Sequence, residues 1–149
     1  MTRKPVEIET SEVRKRLRAV IDQSRRTAAA RRAQVDAAAA AYKTWLETTA
    51  APVVHVLANV LLVEGYNFTV FTPNAGLRLA SSKSGDDAIE FGLDTSEAEP
   101  FAVLRVSQSR GRRILQHERP VKGRTAIEQL TEEDVLQAML EEIAPFVER

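Results

Sequence analysis

At 149 residues with 44% apolar side chains, the chain is long enough for one domain with an ordinary core, so folding requires neither a metal nor a disulfide. It has no cysteine, which excludes a disulfide framework, a zinc ribbon and thiol chemistry. The formal net charge is zero, yet residues 1–50 carry 11 Lys/Arg against 6 Asp/Glu and residues 51–149 carry 10 against 15. A split of this kind suits an anionic partner for the first half, or a meeting of the basic half of one copy with the acidic half of another.

Residues 1–9 are basic at Arg3 and Lys4 but have no apolar run behind them, so no secretory leader is expected. Thr10 and Ser11 can cap a helix, and Glu12 suits its positive end. From there to residue 49 there is no glycine or proline, and nine of the fourteen residues 28–41 are alanine, so propensity alone predicts a long helix. Forty residues at 1.5 Å each make a rod of roughly 60 Å, which needs something to lie against. Alternating steps of four and three from Leu17 place Leu17, Ile21, Ala28, Val35, Ala38, Tyr42 and Trp45 along one seam, with Ser24, Arg31 and Thr49 among them. The seam predicts a homodimer or docking of another protein. An intramolecular hairpin is the rival, and Trp45 is expected to be buried in either case.

Pro52 removes a backbone donor, so the rod is expected to end or kink there, or a new helix to start behind a Thr48 or Thr49 cap. Residues 52–63 are apolar on most sides and stop at Gly65, which predicts a buried helix against the sheet that follows. The most apolar run, 53–63, is shorter than the 20 or so residues a bilayer requires, so a soluble, cytoplasmic protein without membrane contact is expected.

Short alternating runs between turn signals follow, at 67–72, 76–81, 88–93, 101–107 and 112–118. Ile89, Phe91 and Leu93 alternate with Ala88, Glu90 and Gly92, as one buried face would. Turns this short allow only antiparallel pairing, so a meander of four or five strands is predicted. Residues 125–130 are ambiguous. Thr131 with Glu132, Glu133 and Asp134 marks a helix start, Val135, Leu136, Met139, Leu140 and Ile143 give that helix an apolar stripe, and Pro145 should end it. The predicted class is α+β: a long N-terminal helix over residues 10–50, ended or kinked at Pro52, and a helix–sheet–helix body over 52–149. The whole is read as one domain, with the long helix as its oligomerisation arm.

Arg18, Arg25 and Arg32 are seven apart and form a stripe that Arg14, Lys15, Arg16, Arg26 and Arg31 thicken. The stripe is a candidate phosphate-tracking surface for nucleic acid, or a solvated face with Glu12–Arg16, Arg18–Asp22 and Arg32–Asp36 pairs at i,i+4. Arg110, Arg112 and Arg113, with Arg105 and Lys122 near in sequence, form a second basic cluster that suits either phosphate contact or a charged edge hairpin. His55 and Asn59 share a helix face and are expected to be partly exposed. His117 and Glu118 point to opposite faces of a strand and form no dyad by themselves. Asp86, Asp87, Asp94, Glu97 and Glu99 lack calcium-loop spacing, and residues 81–85 lack the glycine pattern of a P-loop. No catalytic residue, metal ligand or cofactor is therefore assigned. The leading expectation is a non-enzymatic interaction module, an adaptor, chaperone-like or regulatory protein. A nucleic-acid-binding protein and a small enzyme or ligand binder are the alternatives.

Overall fold

A computed structural model describes residues 7–148. Residues 1–6, on which most of the leader reading falls, lie outside the described residues. The architecture is α+β, with a long N-terminal helix, a five-stranded antiparallel sheet and a C-terminal helix, as the sequence predicts. The chain divides into two compact units, the first running up to Asp36 and the second from Ala37 onward.

Helix α1 (Thr10–Trp45) opens the structure. Over residues 10–36 no side chain is buried, and the segment is held by what lies within a turn of each residue: alanine-rich backbone helicity, the Glu12–Arg16 ion pair at 3.1 Å, and the Gln23–Arg26 and Arg31–Gln34 hydrogen bonds.

The second unit begins with the last turns of α1 and continues without a break through a π-helical turn (Leu46–Ala50) into α2 (Ala51–Val63). Pro52 therefore neither ends the helix nor restarts it behind a threonine cap. The backbone N–H of Ala51 reaches back five residues to the carbonyl of Leu46, and this wider turn accommodates a proline that has no N–H to give. Thr48 is used differently from the expected cap: its hydroxyl donates to the carbonyl of Thr44 at 2.8 Å. The helix stops where the sequence predicts. The N–H groups of Gly65 and Tyr66 bond the carbonyls of Leu62 and Leu61, and Gly65 supplies the left-handed residue (φ 95°) that this C-terminal motif requires.

Strands β1 (Phe68–Phe71), β2 (Arg78–Ser81), β3 (Ala88–Asp94), β4 (Phe101–Arg110) and β5 (Arg113–Pro120) pair in chain order, all antiparallel. Gly111, at φ 61°, is the first central residue of the two-residue β4–β5 turn and suits its mirror-type geometry. The ambiguous residues 125–130 form a short 3₁₀ turn (Ile127–Gln129). Helix α3 (Glu132–Val147) starts in a complete capping box, in which the Thr131 hydroxyl accepts from the Asp134 N–H while the Asp134 carboxylate accepts from the Thr131 N–H. Pro145 does not end α3 as expected. It sits in the last turn, where the helix continues to Val147 and the Glu148 N–H still bonds the Ala144 carbonyl.

The core lies between the helices and one face of the sheet. Leu79, Ile89, Phe91, Leu104 and Val106 project from the sheet and meet Trp45, Val54, Leu57, Val135 and Met139. Phe91 stands edge-on to Trp45 at 6.0 Å and Phe68 edge-on to Phe146 at 6.2 Å. On the other face a row of alternating charge runs across four strands in register, Arg78, Glu90, Arg105 and Glu118. The Arg105 guanidinium lies over Gly92: a Cβ there would come within 2.7 Å of that group, which would have to move aside.

Candidate functional site

Helix α2 departs most from what its sequence predicts. A helix apolar on most sides is expected to be buried, yet only Val54, Leu57, Ala58 and Leu61 are. Val56, Val60, Leu62 and Val63 are 62%, 52%, 58% and 84% exposed. The sheet covers one side of a helix, and thirteen residues of nearly continuous apolarity exceed what one side can hide. Leu140 of α3 is also open. Together Pro52, Val53, Val56, Val60, Leu136 and Leu140 line a groove of about 480 Å³ between α2 and α3, floored by Leu57. Its polar lining residues are two carboxylates at the start of α3, Glu132 and Glu133. Concave apolar lining with charge of one sign at its edge is the chemistry of a docking groove.

The expected seam of α1 separates into parts with different fates. Trp45 is buried, donates its indole N–H to the Leu130 carbonyl at 3.1 Å and stacks tilted against Tyr42, so it belongs to the core of its own chain. Tyr42 and Ala38 are half-buried. Burial pushes the Tyr42 hydroxyl pKa well up, against the opposing pull of the Arg105 charge. Val35 is also half-buried, whereas Leu17, Ile21 and Ala28 are exposed. Sequence reasoning missed Val13 and Val20, which with Leu17 stand at i, i+4 and i+7 on one face and are likewise exposed. Alternating steps of four and three begun at Val13 run through 13, 17 and 20 and would have found them; taking the step of four from Leu17 to Ile21 passed Val20 by.

Arg18, Arg25 and Arg32 are exposed. Of the three i,i+4 pairs expected on α1, only Glu12–Arg16 forms among the described residues. Arg110, Arg112 and Arg113 are exposed at the β4–β5 turn, while Arg105 pairs with Glu118 at 2.9 Å and Lys122 with Asp134 at 3.1 Å. The second basic cluster is thereby reduced to the three arginines of the turn.

His55 and Asn59 are exposed, as expected. His117 has no dyad with Glu118 but gains a partner the sequence did not suggest: Glu142 of α3, 2.8 Å from its Nε2. Arg119, two residues on and on the same strand face, pairs with Glu141 and Glu142. The Arg119 hydrogen bond holds the Glu141 carboxyl below the usual carboxylate range. This cluster ties β5 to α3.

Asp87 is buried and accepts from the N–H and hydroxyl of Ser109, which fixes the start of β3 to β4. Asp94 is held below its ordinary pKa by its hydrogen bonds from Ser96 in an exposed turn. Among the described residues no three His, Asp or Glu side chains converge as metal ligands. Because the helix runs on through Pro52, an apolar stretch in residues 10–63 reaches a mean hydropathy of 1.6 and is long enough to cross a membrane by length and composition; 28% of it is buried in the protein. The apolar run is thus longer than residues 53–63 alone suggest. The core helix of a soluble protein meets the same criterion.

No family model, no curated protein and no solved structure matches this chain.

Proposed function

We propose that this protein is an interaction module that works by capturing a protein partner on the N-terminal part of α1, rather than by catalysis. The observation that carries the reading is the row of exposed Val13, Leu17 and Val20 on the arginine-rich N-terminal part of the helix. Three apolar side chains at i, i+4 and i+7 are the anchors by which an amphipathic helix is recognised in a groove or against another helix. Self-association is the simplest case. Light scattering on the full chain tests it: the wild type is expected to run above monomer mass, and Leu17→Glu with Val20→Glu to return it to monomer. A wild-type monomer that gains no mass with concentration would end the self-association reading.

A second reading, nucleic-acid binding by Arg18, Arg25 and Arg32, draws support from the absence of ion pairs on these three side chains among the described residues. It requires affinity for mixed-sequence nucleic acid that falls steeply with salt and drops in the triple Arg→Glu variant. Unchanged binding in that variant would remove the stripe from consideration.

A further inference from the structure

The apolar row of α1 and the groove of α2 and α3 are separate surfaces, each without a partner among the described residues. We infer that they are halves of one interface: the α2–α3 groove of one copy receives residues 13–20 of a second copy. The inference rests on the reading of α1 as the interaction element and names what it engages.

Shape supports the match first. The groove is open, apolar and lined along two helices, which is the form that accepts a third helix through side chains one turn apart. Val13, Leu17 and Val20 provide such a row over seven positions, roughly 10 Å of helix. Charge selects among possible occupants. The polar residues lining the groove are Glu132 and Glu133, so a helix with cations beside its apolar row is favoured and an acidic one is opposed. The N-terminal part of α1 has that composition: residues 13–20 carry Arg14, Lys15, Arg16 and Arg18 and no acidic side chain, and helical spacing puts Arg14 on one side of the apolar row and Arg16 on the other. The same carboxylates disfavour a nucleic-acid backbone or an anionic lipid surface as occupant of the groove. The chain-wide asymmetry follows the same sense, since the donor half is basic and the acceptor half acidic.

Docking of this kind joins different patches of two copies. Reciprocal exchange closes it as a symmetric pair, whereas one-way exchange continues it as a chain.

The absence of cysteine allows a direct test, because any thiol introduced is the only one present. Leu17→Cys and Val60→Cys variants of the full chain are prepared separately, mixed and oxidised. Both positions are exposed, so neither change removes core packing. The inference expects a covalent heterodimer in the mixture, well above the self-linked product of either variant alone. Dominant self-linking of Leu17→Cys would overturn it, because α1 would then pair with α1; the interaction reading would survive. Mass measurements give the second arm. Val60→Glu, and separately Glu132→Lys with Glu133→Lys, are expected to lower oligomer mass as far as Leu17→Glu does. Adding Arg14→Glu and Arg16→Glu to the lysine pair is expected to restore it. Loss of mass in Leu17→Glu with none in Val60→Glu overturns the groove while sparing α1. Unchanged mass in every variant ends both.

Discussion

Residues 10–36 and the unit from Ala37 onward are built on different principles, although one helix supplies residues to both. The first segment buries no side chain and owes its helicity to alanine, the absence of glycine and proline, and pairs three or four residues apart. The second is organised by distant contacts, such as Trp45 with Leu130 and Phe91, or Arg119 with Glu141, and tolerates local features that disfavour helix, including Pro52 and Pro145. Exposed apolar residues therefore mean different things in the two places. On residues 10–36 no folding role accounts for Val13, Leu17 and Val20, whereas on α2 the exposed valines are the excess left after one face has met the sheet.

The contrast can be broken most forcefully at Trp45. Trp45→Ala opens a large cavity and leaves the Leu130 carbonyl without its indole donor, so a loss of about 3–5 kcal/mol is expected, read from urea denaturation followed by far-ultraviolet circular dichroism. Leu104→Ala, at a fully buried sheet position, is expected to cost about 2–5 kcal/mol in the same assay. Asp87→Ala removes the buried carboxylate that accepts from the Ser109 N–H and hydroxyl and should cost about 1–3 kcal/mol. Should all three leave the midpoint unchanged, the account of the core would be wrong.

Smaller changes sharpen the comparison. Thr131→Ala removes half of the α3 capping box and is expected to lower stability by about 1 kcal/mol. The acid side of the stability profile should carry the same feature. Its hydrogen bonds with Thr131, together with Lys122, hold the Asp134 carboxyl below the usual carboxylate range, so its contribution is complete above that range and fades as pH falls through the lowered value. Thermal melts against pH should therefore be flatter on the acid side for Asp134→Asn than for the wild type. The smallest effect on the body is expected from Ala33→Gly on the exposed part of α1, which costs about 1 kcal/mol of local helix stability. Circular dichroism should register the loss. The fluorescence of Trp45, the single tryptophan, should melt at the wild-type midpoint. A matching fall in the fluorescence midpoint would mean that the two regions unfold as one.

Several elements are legible in the amino-acid sequence by itself, because their determinants lie within a few residues. The alanine density and lack of breakers determine α1, the short turns determine antiparallel pairing, Gly65 marks the end of α2, and Thr131 with Asp134 marks the start of α3. The candidate site is legible in part: Leu17 and the charge asymmetry stand in the sequence, while the groove does not. Composition reports that α2 is apolar all round but says nothing of how much of it the sheet can cover. Likewise no local signal joins His117 to Glu142, 25 positions away, or places Pro52 behind a π-helical turn instead of at a helix end. Tertiary structure decided these outcomes because burial is a competition for limited sheet surface among α1, α2 and α3, and only the assembled layers settle which faces are covered and which remain open.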